Sequence, residues 1–559
     1  MAQSSKKQNF LQGAALLALA NAIVKVIGAI YKIPLKAIIG DIGYSYFNTA
    51  YIIYSLLLTI ATAGLPIAMS RMISQASSLG QYNRVRRIYR VSKVIFLCLG
   101  LVCTLIMAIF CRTLADFYNQ RDAWFAILCL SPCALLMGFL STYRGFFQGQ
   151  GNMVPTSTSQ VLEAICKLVV GFGFAFTFMQ LWGNVSISAG GAIIGVSASC
   201  LVSAIFLAAK FRPAYQSLPV TNEEVESFQK TAKNLMSIAV PIMIGSAGLQ
   251  LLNALEMGIY MDQVENLLST HQYVDPAVSI IDGEVQLLKD YDPANHYSLI
   301  ASGLKGIYDF STTIFNLPSS FIVPINTSVL PAITACLTLD DHNGVRSTEE
   351  SAARITGLLA APCAIGLAVL AEPVMGLLGD YAGDKLILAG KLMAVMGCSV
   401  FFYSSLMYTN VLLQSHGKAQ IPVIHTLLCG VVRLVAVYVL SGNPHLGILG
   451  VPISALLCYV SIFALNLLAI HFRIPQKPRL LQNLLRPVLP AALMGAAVFG
   501  VVYLMKNVAN ITSNLLLCAV PVFVGVVVYV VGVILFKTIT REDCLLLPKG
   551  EKLAKLLKL

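Results

Sequence analysis

Charge is scarce in this sequence. Asp, Glu, Lys and Arg supply 11% of its 559 residues while hydrophobic types supply 57%, and mean hydropathy is +0.76. A water-soluble domain carries about a quarter charged residues, so there is too little polar surface here to face water on all sides. Metal and nucleotide chemistry lack their patterns as well. The fourteen cysteines include no CxxC pair and no Cys/His set at metal spacing, and read as small buried apolar side chains. The seven histidines form no HExxH, and no GxxxxGK[ST] occurs. With neither a zinc catalyst nor an ATP motor signalled, no cofactor is expected and the chain reads as a non-enzyme.

What the chain has in abundance is apolar runs of about 20 residues, the length that crosses roughly 30 Å of hydrocarbon. Fourteen are read, beginning near Leu11, Tyr46, Val91, Trp124, Thr158, Ala189, Leu235, Ser298, Ala352, Leu388, Ile421, Gly447, Pro487 and Leu515. The expected fold class is all-α, a polytopic membrane protein. The first run is too long and too rich in cations for a signal-peptide core and is expected to remain in the mature chain. With the N-terminus inside, 25 of the 38 Lys and Arg fall in inside segments, seven in outside segments and six within spans. That bias supports cytoplasmic termini. It also makes the net charge of +12 a matter of topology, so no nucleic-acid partner is expected.

A polar linker at 211–233 divides the first twelve spans into six and six. Residues 1–210 are expected to form an N-terminal lobe and 234–472 a C-terminal lobe, with 473–559 holding two further helices and a basic tail. The acidic stretch 261–297 is read as an external loop, a solvated cap. Two internal matches suggest a repeat. "YRGFFQGQGNMVP" (Tyr143 to Pro155) resembles "YTNVLLQSHGKAQIP" (Tyr408 to Pro422), each with Gln, then Gly three later, then Pro opening the next helix. "LPIAMSRMIS" (Leu65 to Ser74) resembles "VPINTSVLPAI" (Val323 to Ile333). Six spans being an even number, the repeats are parallel, two lobes about a cavity.

Cations inside spans mark function, because membrane-depth charge is expensive. In "NAIVKVIGAIYKIPLKAIIGD", helical spacing puts Asn21, Lys25, Lys32 and Lys36 on one face. Lys36, near the outer end, can be explained as a snorkelling anchor. Lys25, about 20 Å from the start of its span, is beyond such reach and requires a cavity or an anion, and Lys32 is a candidate wall residue. "SGLKGIYDF" places Lys305 one turn from Asp309, and Glu163 and Lys167 share that spacing, so each can pair along a helix face. Gly303 and Gly306 beside Lys305 allow a backbone or a substrate to approach. Arg71 is a headgroup contact or a gate, Arg144 belongs to the first repeat motif, and Arg433 stands alone in its span. Several cations with few free carboxylates suit an anion, phosphate or pyrophosphate above all.

"RGFFQGQGNMVPTSTSQVLEAICKL" (Arg144 to Leu168) resembles the RGxFQG…M.PTA.SQV.EQ signature of the polysaccharide-flippase branch of the multidrug/oligosaccharidyl-lipid/polysaccharide exporters. That branch includes stage V sporulation protein B and the MurJ-like lipid II flippases of Gram-positive bacteria. "KIPLKAIIGDIGYSYFNTAY", "ATAGLPIAMSRMIS" and "NLPSSFIVPINTSVLPAI" are similar to its first, second and eighth helices. The resemblance implies two six-helix lobes plus two helices, and alternating access that moves a polyprenyl-pyrophosphate-linked sugar, lipid II first, across the bilayer by a monomer surrounded by membrane lipid. It implies substrate contacts at Lys25, Lys32 and Lys305, and Asn21 and Arg71 are read as substrate-binding with them. Asp309, Glu163, Lys167, Arg144 and Arg433 would act as structural or gate residues. A capsular, teichoic or spore-cortex carrier is the close alternative. A drug:cation antiporter would need an acidic ion site, and the charge signs oppose it.

Overall fold

The computed structural model describes residues 2–539 apart from positions 63, 222, 290, 339, 476 and 477, and side chains from Ala20 onward with a few exceptions, Asn21 among them. Every regular element among the described residues is helical. The 61-residue helix Ala2–Thr62 is broken at Gly40, whose φ of 66° and ψ of −175° are not helical. The chain reverses there: Lys32 lies 3.4 Å from Asn48 and Tyr31 packs on Phe47, pairs of residues 16 apart on either side of the break. In a straight helix a separation of 16 residues would be about 24 Å. One glycine, able to hold positive φ without a Cβ penalty, makes the hairpin between α1 (2–39) and α2 (41–62), and α2 is prolonged by Leu65–Ser78.

The remaining long helices are α3 (Tyr82–Ile109), α4 (Trp124–Gly149), α5 (Val154–Trp182), α6 (Val185–Gln216), α7 (Phe228–Ser269), α8 (His296–Thr338), α9 (His342–Val369), α10 (Gly383–Ser415), α11 (Gln420–Ser441), α12 (Gly450–Arg473), α13 (Val488–Asn507) and α14 (Asn514–Leu535). Among the described residues, ten helices are long and apolar enough to cross a membrane. The two arms of the Gly40 hairpin, α7 and α8 have the length as well, which is compatible with fourteen spans. The acidic stretch after Met261 is largely helical instead of a loop. α7 continues to Ser269, and Ala277–Gln286 is a helix of its own. Its low hydropathy hides an amphipathic period: Ala277, Ile281 and Val285 recur every four residues and are buried.

The repeat is visible in the backbone. α4 ends with Gly151 N–H donating to Gln148 O and Asn152 N–H donating to Phe147 O, and α10 ends with Gly417 to Gln414 and Lys418 to Leu413. Each is a helix stop with glycine in the left-handed conformation, φ 77° and 72°. That is why Gln and Gly recur three apart. α3 breaks at Phe110 before the short helix Cys111–Phe117, and α9 breaks at Leu370 before Ala371–Gly379. The first of these short helices is followed by Asn119 and the second by Asp380, both at positive φ.

The chain forms two compact units, one made of residues up to Asn266 with Asp282–Asp309, the other of Leu267–Ile281 with the residues from Phe310 on. In the first, α5 and α6 cross so closely that a Cβ on Gly195 would lie 2.2 Å from Gly171. The linker is pinned to the start of α3, where Glu223 accepts from the Asn83 and Arg84 N–H groups at 2.7 and 3.2 Å. These are donors that a helix start leaves unpaired, and a carboxylate there also meets the positive end of the helix dipole. In the second unit, α9, α10 and α12 enclose an apolar core around Leu406, Leu412 and Ile462. Hydrogen bonds donated by the Asn466 amide to Thr409 and Asn410 tie α12 to α10; α13 packs on α9 through Met494, Val498 and Ile365, and α14 donates from the Tyr529 hydroxyl to the Leu358 carbonyl of α9.

Candidate functional site

The intramembrane cations of the first unit converge, and α1, α2, α5 and α8 each contribute to the cluster. On α8, Lys305 is fully buried and its Nζ lies 2.5 Å from Asp309 Oδ2 and 3.3 Å from the Ser45 carbonyl. Two features place it. A Cβ on Gly306 would fall 2.0 Å from the Asp41 carbonyl oxygen, so the start of α2 sits directly on α8. The Gln120 amide donates to Ser45 at 2.5 Å and Ser302 at 3.2 Å, and Thr49 donates to its carbonyl oxygen. A short polar core thus ties α2, the segment after α3, and α8 around the lysine.

Lys32 and Lys167 complete the cluster. Lys32 is half-buried beside Asn48 and lies in the electrostatic field of Lys167, Lys305 and Asp309. Lys167 is half-buried, its ammonium 5.0 Å from the ring centre of Tyr51 and 5.6 Å from that of Tyr31, a cation–π seat. The Glu163–Lys167 pair expected from spacing is not formed. Arg144 takes Glu163 instead at 2.8 Å while donating to Ser159. A forked guanidinium from the neighbouring helix suits a carboxylate better than an ammonium on the same helix. Arg144, Glu163 and Lys167 line a cavity of about 180 Å³ with Gly28, Tyr31 and Gln160.

Formal charge then decides what the cluster can do. Lys305 is offset by Asp309 and Arg144 by Glu163. No described carboxylate lies within ion-pair distance of Lys32 or Lys167, which leaves two positive charges in partly open positions. An anion carrying two negative charges would neutralise them.

The other expected residues are placed as follows. Lys25 is exposed and, among the described residues, forms no ion pair or hydrogen bond. Lys36 is not an exposed anchor; it is buried and paired with Asp41 at 3.5 Å, because the Gly40 turn brings that carboxylate back to it. Arg71 is exposed. Arg433 is half-buried on α11 in the second unit. The side chain of Asn21 lies outside the described residues. Tyr31, Asn48 and Tyr51 were missed. For Tyr51 the signal was a run of aromatics on one face of α2, Tyr44, Phe47, Tyr51 and Tyr54, whose rings are in contact in series.

A family model described as polysaccharide biosynthesis protein matches residues 10–336, more than half of the chain. The chain belongs to that family. A second model, lipid II flippase MurJ, matches residues 295–519. Among curated relatives, stage V sporulation protein B of Bacillus subtilis is 23% identical over 80% of this chain and 81% of its own length, and lipid II flippase MurJ of the same organism is 22% identical over 76% of each. A solved structure of lipid II flippase MurJ in an inward closed conformation superposes with a TM-score of 0.66 at 14% identity, covering 93% of this chain and 98% of that one, a likeness of fold. The second model and these relatives make the chain similar to MurJ-like lipid flippases, and its long apolar helices make it a multi-pass membrane protein.

Proposed function

We propose that the protein is a flippase for an undecaprenyl-pyrophosphate-linked cell-wall sugar, lipid II, carrying it from the inner to the outer leaflet by alternating access, with both termini cytoplasmic. One observation supports this above others: Lys32 and Lys167 are uncompensated, half-buried cations whose two charges match a diphosphate diester. The ammonium groups bind phosphate oxygens as point charges, and Asn48 is placed to bind alongside Lys32. Lys305 with Asp309 fixes the α2–α8 contact on which Lys32 and Asn48 depend. Exposed Lys25, below Lys32 on α1, would receive the diphosphate first, so the two lysines form a path along the helix. A drug:cation antiporter would place unpaired carboxylates where these lysines stand.

The test is rescue of a bacterium depleted of its lipid II flippase, by the wild type and by Lys25→Ala, Lys32→Gln and Lys167→Gln at matched expression. The reading expects rescue by the wild type and loss in the Lys32 and Lys167 variants. Full rescue by both variants would overturn the site. A wild type that fails there yet rescues a spore-cortex or capsule flippase mutant would move the substrate to that carrier, a second reading favoured by the likeness to stage V sporulation protein B.

A further inference from the structure

A second cavity in the first unit, of about 520 Å³, shares no lining residue with the cationic cluster. Its volume is that of a small-molecule site. The chain has two tryptophans in all, and both line it: Trp124 opens α4 and Trp182 closes α5. Both rings have a side-chain neighbour against them. The Arg112 guanidinium lies 5.1 Å from the Trp124 ring centre and the Phe178 ring packs edge-on against Trp182 at 4.9 Å. Trp182 is nonetheless 49% exposed.

The polar groups at this cavity carry both signs. Lys289 donates to the Trp182 carbonyl at 3.2 Å. It crosses directly over Gly183, where φ is 61° and a Cβ would lie 2.9 Å from the ammonium, so that turn requires glycine. Tyr46 and the Asp122 carboxylate lie together in its lining, and Asn184 caps α6 through Ile187 N–H. An acyl chain would be met by a carboxylate and an ammonium that it cannot pair with. A free anion would be met by Asp122. A neutral, polyhydroxylated ligand fits both halves: its C–H faces lie on aromatic rings and its hydroxyls bond to carboxylate, amide and ammonium at the edge, the division of labour aromatic side chains perform when one end is apolar and the other wet.

We infer that this aromatic cavity is a carbohydrate-binding site, distinct from the cationic cluster, which takes the saccharide part of an amphiphilic glycan substrate. The inference rests on the proposed function only in treating the saccharide as substrate, and saccharide binding can be measured without transport.

Both tryptophans line the cavity, so intrinsic emission reports on it without a label. The full chain in phosphatidylethanolamine nanodiscs, free of glycoside detergent, is titrated with N,N′-diacetylchitobiose. The expected result is a saturable change in emission, with affinity reduced about tenfold in Asp122→Asn and in Lys289→Gln and unchanged in Lys32→Gln. An emission that does not respond to the saccharide would overturn the inference. So would a response that keeps its affinity in both variants, or one produced by phosphatidylglycerol and not by saccharide, which would make the rings an interfacial anchor. Saccharide binding with failed flippase rescue would refute the transport reading alone; rescue without binding would refute this inference alone.

Discussion

Lys305 and Asp309 allow structural and transport roles to be separated by a double substitution. The pair is 2.5 Å apart with Lys305 inaccessible and Asp309 nearly so. Removing one member of such a pair strands a buried charge, at a cost of about 3–5 kcal/mol, whereas replacing both by apolar residues of similar volume is near neutral or stabilising. Lys305→Met and Asp309→Leu are each expected to lower the thermal unfolding midpoint in detergent sharply, and the double variant to recover most of the loss. Because the pair cancels its own charge and the diphosphate is assigned to Lys32 and Lys167, the double variant should also retain most transport, measured as rescue of the flippase-depleted strain. A double variant as stable as the wild type yet inactive would refute that assignment and make Lys305 a substrate ligand. A double variant as unstable as the singles would refute the pairing argument itself.

Three further outcomes follow from the geometry. Lys32→Gln and Lys167→Gln each remove one charge-assisted contact worth about 1.5–3 kcal/mol, so the affinity for a pyrophosphate-lipid headgroup should fall about ten- to a hundredfold with little change in unfolding temperature. Gly306→Ala puts a Cβ 2.0 Å from the Asp41 carbonyl and should destabilise the protein by about 1–3 kcal/mol or more, while Gly28→Ala, with open space around it, should be neutral or mildly stabilising in the same melt. Glu223 is held below the usual carboxylate range by the Thr221 hydroxyl and then by backbone N–H groups, its own and those of Arg84 and Asn83. A depressed native pKa contributes stability above the unfolded value, near 4.3, and loses it as pH falls through the lower native one. Amide exchange in the linker should therefore rise, after correction for intrinsic rates, only below about pH 4, and the rise should be absent in Glu223→Gln.

The spans were legible because hydropathy sums over some twenty residues, so local exceptions such as Lys25 or Lys305 do not obscure them. The repeat was legible through its turns: Gln and Gly three apart record a helix stop whose left-handed residue tolerates few alternatives. Pairing was harder to read. Lys36 and Asp41 look unrelated until the Gly40 hairpin folds one onto the other. Glu163 and Lys167 have ideal spacing on one helix, yet Arg144 from the preceding helix takes the carboxylate, a tertiary competition that spacing does not encode. The aromatic seat of Lys167 has the same origin, since Tyr31 and Tyr51 come from two arms that only the hairpin aligns.

The most direct measurement of the central claim is flipping of a fluorescent lipid II analogue by the purified full-length protein in proteoliposomes, read by extravesicular quenching. The account predicts transfer above protein-free vesicles, reduced about tenfold or more in Lys32→Gln and Lys167→Gln and retained in Arg71→Gln. Transfer by the wild type that persists undiminished in the Lys32→Gln/Lys167→Gln double variant would contradict it.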